Sequence, residues 1–188
     1  MRRPLVLAIC LAAPSALLAQ GKPPKTEPPA YAMAKEYRTV QASALQAQRK
    51  LLLSFADSMP ERHYRDKATP EQRDFAQQVH HMARAAGFVG SLLQTGAPRV
   101  QSADDSVKAI GSRVALKAYI AQEFDFLDGL LKSQSDSDRD TRVQFFNGVM
   151  IPRWQVWDEL NQHTWWTAGQ VVANFRKLGM APPNFIFF

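Results

Sequence analysis

The chain has 188 residues, 46% hydrophobic and 21% charged, with a formal net charge of +6 and a single cysteine. That length closes one hydrophobic core and is short for two full domains. The basic residues are spread along the chain without an Arg/Lys block interleaved with aromatics, which argues against a nucleic-acid partner.

Residues 1–19, MRRPLVLAICLAAPSALLA, set Arg2 and Arg3 before an apolar stretch that closes on the small Ala19, the pattern of a secretory signal peptide. The stretch is broken by Pro14 and falls short of the roughly 20 residues that span a bilayer, so no stable membrane insertion is expected once the leader is removed. The expected location is periplasmic or secreted. Cleavage would take away Cys10 and the two arginines, leaving 21 basic residues against 17 acidic ones, a net +4. A mature chain without thiols excludes cysteine nucleophiles and cysteine zinc sites, so any metal must be held by His, Asp or Glu.

A linker is expected over 20–36, densest in proline across Gln20 to Ala30, and a single domain over 37–188. From about Tyr37, Leu45, Leu52, Phe55, Ala56 and Met59 recur at helical spacing until Pro60, which predicts the first helix. Thr69, Pro70 and Gln72 form a start signal for the second, with Thr69 as cap; Phe75, Val79, Met82, Ala86, Val89 and Leu93 share its inner face, and Gly96 to Pro98 should end it. A third helix follows the polar caps at Ser102 to Asp105, with Ile110, Val114, Ala121, Phe124, Leu127 and Leu131 facing inward.

After the polar run SQSDSDRD, two short apolar segments flank Asn147-Gly148, a dipeptide favoured in tight turns, so a hairpin is expected near 143–151. Pro152 opens the last helix and Gly179 caps its end. Four long helices with one irregular crossover predict an all-α four-helix bundle.

On the last helix, Glu159, His163, Thr167, Gln170 and Asn174 form a polar line in a face that also carries Leu160, Trp166 and Val171. Polar groups at such positions need partners, which implies a pocket, a hydrogen-bond network or a ligand. Glu159, Trp166, Thr167, Gln170 and Asn174 are therefore the candidate pocket residues. Trp165 points nearly opposite, towards solvent, a packing contact or a second copy of the chain in a homodimer. On the second helix His81 shares its side with Ala85, Phe88 and Leu92 and is expected inward, whereas His80 sits among Arg73, Gln77 and Arg84 and is expected in solvent. A glycine-rich phosphate loop, a Gly-x-Ser-x-Gly elbow and a His-Glu-x-x-His motif are absent from the sequence.

The stretch LLLSFADSMPERHYRDKATPEQRDFAQQVHHMARA, with HTWWTAGQVVANFRKLGMAPP much later, resembles the DinB-like superfamily, also called YfiT-like metal-dependent hydrolases. The resemblance runs from about Gln41 to Pro183. Its most specific parts are His81-Met82-Ala83 and the closing Gly169, Gln170, Arg176, Gly179, Pro182 and Pro183. It implies an up-down-down-up four-helix bundle holding a divalent metal, zinc or nickel, by three histidines. One comes from the second helix and two from a His-x-x-x-His pair on the last.

Carried over, the ligands are His81 and His163, and the third position falls on Thr167, whose hydroxyl is a weak neutral donor. Glu159, one turn before His163, is the candidate substitute, as in mycothiol-dependent relatives. Two functions follow from the resemblance. One is a degenerate site, metal-free or weakly metal-binding, in a module for an unidentified small molecule or a partner. The other is a divalent-metal-dependent hydrolase or thiol-transferase-like enzyme using His81 and His163. A third expectation is that the terminal Asn184 to Phe188 covers a hydrophobic groove.

Overall fold

A computed structural model describes residues 30–99 and 102–184. The expected leader, most of the proline-rich linker and the chain after Asn184 lie outside the described residues. Five helices, α1 (Ala30–Ser58), α2 (Phe75–Thr95), α3 (Ala103–Ala109), α4 (Arg113–Ser133) and α5 (Arg153–Lys177), surround one core, and strands β1 (Arg142–Gln144) and β2 (Met150–Pro152) form an antiparallel hairpin between α4 and α5. The architecture is the expected all-α bundle with a short hairpin. Among the described residues no helix is long and apolar enough to cross a membrane.

The helices pack in the cyclic order α1, α4, α2, α5, so α2 is wedged between α4 and α5 and covered on two sides. Leu52, Phe55 and Met59 from α1, Val79 and Met82 from α2, Leu116, Ile120 and Leu127 from α4, and Leu160, Val171 and Phe175 from α5 are fully buried. Phe175 meets Phe55 and Phe75 at ring-centroid distances of 5.9 and 5.7 Å. The seam between α1 and α5 is polar instead. Gln41 donates to Asp158 at 2.8 Å, Asn161 donates to Gln41 at 3.0 Å, Gln48 bonds to Asn161, and Thr164 donates to Gln48 at 3.0 Å. Long amide side chains bridge these two helices where apolar contact is thin, so the buried polar atoms keep partners.

Several boundaries differ from expectation for identifiable reasons. α1 begins at Ala30 rather than near Tyr37, because nothing after Pro29 breaks a helix and the intervening alanines and Lys35 favour one. The cap of α2 is Asp74, not Thr69: Asp74 accepts from the Gln77 amide and the Gln77 side chain accepts from the Asp74 amide, a complete capping box. Thr69 instead sits in a turn closed by the Gln72 amide. The expected third helix is two, broken at Ile110 to Ser112, with Ser112 capping α4 through the Ala115 amide. The break re-phases the helix, so Val114 is 79% exposed rather than inward.

Asn147 and Gly148 take consecutive left-handed conformations, φ 57° and 76°, at the hairpin tip. The strain at Asn147 is small because asparagine tolerates that region. At the end of α5, Gly179 at φ 68° lets the Met180 amide reach Phe175 and its own amide reach Arg176, a Schellman termination.

Candidate functional site

α2 and α5 bring His81 and His163 together, with Nε2 to Nε2 at 3.1 Å and ring centroids 4.9 Å apart, edge to face. The position of each follows from its helix. The buried stripe of α5 runs through Val156, Leu160, Thr164, Val171 and Phe175. At about 100° per residue, His163 lies on the shoulder of that stripe facing α2. On α2, His81 is half-buried on the side towards α5.

Both imidazoles are held neutral. Burial is the largest cause of the lowered proton affinity of each, followed by the Arg73 charge; His81 is brought down to about 4 from 6.5, with the neighbouring His163 and Arg84 also contributing. The contact is thus one neutral ring donating to another. His163 Nδ1 is buried with no hydrogen-bond partner, and a buried N–H left unbonded costs more than a bare lone pair. The tautomer that satisfies this places the proton on His163 Nε2, which donates to His81 Nε2.

The pair forms one wall of a cavity of about 400 Å³, within the size range of small-molecule sites. Its other walls are largely apolar: Phe88 and Val89 from α2, Leu160 from α5, and Phe145 and Phe146 from the hairpin. Phe146 stacks on Phe88 at 5.2 Å with the rings 4° from parallel, and Phe145 meets Phe146 edge to face. Arg84 and Glu159 are its charged lining residues.

Of the pocket residues expected from the sequence, Glu159 lines this cavity; the other four do not. Gln170 accepts from Gln78 at 2.9 Å, and Asn174 donates to the Asp66 carbonyl at 3.0 Å. Gln170 thus bonds to the start of α2 and Asn174 to the segment that leads into it, the network alternative of the polar line. Thr167 is buried in the core, 2% exposed, whereas Trp166 is 77% exposed. The expectation for Trp166 fails because the buried stripe is centred on Thr164 and Val171, not on His163, and that shift of the wheel turns Trp166 outward. Trp165 is half-buried and packs on the core.

His80 corrects another expectation. It is 6% exposed and packs on Tyr119 of α4 with centroids 4.7 Å apart, because α2 has a helix on each side and so buries part of the face that reads as polar. Phe145, Phe146 and Arg84 were not singled out as pocket residues, and the aromatic pair before Asn147-Gly148 was the signal available for the first two.

A metal centre can be tested against these side chains. Two nitrogens bound to one tetrahedral zinc lie about 3.3 Å apart, close to the observed imidazole separation. The remaining requirements fail. Among the described residues no three His, Cys, Asp or Glu side chains converge to hold a metal. His163 Nδ1 also lacks the carboxylate or carbonyl that orients a liganding imidazole, and the Arg73 charge acts on both rings, and that of Arg84 on His81, with the sign of a competing cation. These residues do not fit a three-ligand centre.

A family model described as the DinB superfamily matches residues 44–171, more than half of the chain. A search of curated proteins gave no match.

Proposed function

The chain belongs to the DinB superfamily, and from that premise we propose that it is an exported small-ligand-binding module whose metal site is degenerate. The observation that carries the reading is the direct contact of His81 with His163 on the wall of an apolar cavity; the resemblance puts Thr167 at the third ligand position. Two neutral imidazoles already satisfy each other there. A divalent ion would have to displace the shared proton and would gain only two strong donors, so binding is weak. The cavity, with an apolar body and a few polar groups at one side, suits a small organic molecule. Export rests on the leader at 1–19, with its paired arginines and small terminal residue.

A second reading has one observation in its favour: Glu159 lines the same cavity as both imidazoles. If it served as third ligand, the chain would be a divalent-metal-dependent hydrolase or thiol-transferase-like enzyme, with zinc or nickel lowering the proton affinity of a bound water or thiol. The two readings separate on metal content. Mass spectrometry and elemental analysis of the protein isolated from its host should give a chain lacking Cys10 and well under one equivalent of zinc or nickel. A full equivalent of either metal would favour the enzyme, and an intact N-terminus would remove the export proposal.

A further inference from the structure

His81 and Arg84 are walls of two cavities at once. They line the apolar cavity beneath the hairpin and also a groove of about 270 Å³ towards α3, whose lining includes Arg73, Gln77, His80 and Ser106. Residues 73, 77, 80 and 84 follow one another at spacings of four, three and four, which aligns them along one side of the helix and its entry. Arg73 and Arg84 are both exposed, and among the described residues neither guanidinium is held in an ion pair or side-chain hydrogen bond. Their charges nonetheless reach the site, since both depress the proton affinity of His81.

Glu159 is the carboxylate lining the apolar cavity, and the lining of the groove holds no carboxylate. Arg84 is thus shared by the two spaces, with Glu159 on the cavity side and Arg73 on the groove side, and beside a low-dielectric wall the excess positive charge attracts a counter-charge more strongly than on an open surface. Hydrocarbon and cation are both presented to whatever enters.

We propose that the site takes an amphipathic organic anion, with an aromatic or branched hydrocarbon body against Phe88, Phe145 and Leu160 and a carboxylate or sulfonate head at Arg84, Arg73 adding to the attraction from the α3 side. The proposal rests on the small-ligand reading above and narrows it to a ligand class. Arginine suits the head group because its planar fork matches such oxyanions in two parallel bonds. The aromatic walls suit the body, since apolar area leaves water and rings stack.

The test uses two fluorescent probes on the mature protein, anilinonaphthalene sulfonate and phenylnaphthylamine, which share an aromatic body and differ in the sulfonate. At low ionic strength the sulfonate should bind about tenfold more tightly, the size expected of one charge-assisted bond, and added salt should weaken it. Arg84→Gln, at an exposed position and checked for folding by circular dichroism, should erase that preference while leaving the neutral probe unchanged. Phe88→Ala should weaken both probes. Equal binding of the two probes, or sulfonate binding indifferent to both Arg84→Gln and Arg73→Gln, overturns the anion preference but not the small-ligand reading. Failure of both probes to bind in a Phe88-dependent manner overturns both readings.

Discussion

His163 stands on the shoulder of a buried helical face, where a side chain is desolvated without being enclosed, and His81 meets it from α2. Desolvation first and the Arg73 charge second keep both rings neutral. An imidazole whose folded value lies below its unfolded 6.5 takes up a proton on unfolding whenever the pH lies between the two. The stability it contributes is therefore complete above 6.5, is lost as the pH falls, and levels off near 4 for His81. Nuclear magnetic resonance titration of the ring protons should place the His81 midpoint near 4 and that of His163 below 6.5; a His81 midpoint of 6 or above would contradict the desolvated pair.

Gly87 is a second single-residue determinant. A Cβ there would run into the Glu123 carboxylate and the Arg99 guanidinium, and Glu123 is only 1% exposed. Gly87→Ala should therefore cost about 2 kcal/mol by overpacking the buried Glu123 carboxylate against its half-exposed partner Arg99, read as a lower denaturant midpoint at unchanged slope. A neutral or stabilising result would mean that the pair has room to move. The pairing of His81 with His163 was legible, through the resemblance and the helical wheel together. The burial of Glu123 and His80 was not, because their partners, Arg99 and Tyr119, lie on elements whose approach no local pattern encodes.

At the scale of elements, α1, α2, α4 and α5 were recognisable from their apolar period, whereas α3 was read as the start of α4. Thr69 was expected to cap α2, and the observed cap, Asp74, lies five residues later. Asp74 wins because it completes its box, keeps Phe75 in the core, and has Arg65 3.2 Å from its carboxylate. Ser112 ends a comparable contest inside the expected third helix, where Gly111 weakens continuation and a serine is ready to cap. The hairpin was legible because Asn147-Gly148 meets a turn requirement that few dipeptides meet. Its role as a wall of the cavity was not, since the stacking of Phe146 on Phe88 joins residues far apart in the chain. The polar seam of Gln41, Gln48, Asp158 and Asn161 was missed likewise, each amide reading as surface until its partner helix was in place.

For the whole molecule, α2 is the organising element. Packing against both α4 and α5, it supplies one imidazole of the pair, the Arg84 guanidinium and the aromatic floor of the cavity, with Arg73 just ahead of its cap. The domain is an all-α bundle of the DinB superfamily, and on the proposed function the ligand set offered to a metal has thinned to two imidazoles and a threonine. The most direct measurement of that claim is calorimetric titration of zinc into the mature protein and its Thr167→His variant. Thr167 is in the core, so the larger ring should cost about 1–3 kcal/mol in the absence of metal and return it when zinc binds. The account predicts weak binding by the native protein and a gain of about two orders of magnitude or more in the variant, from a third imidazole one turn from His163. Tight, stoichiometric binding by the native protein, abolished by Glu159→Gln, would contradict it.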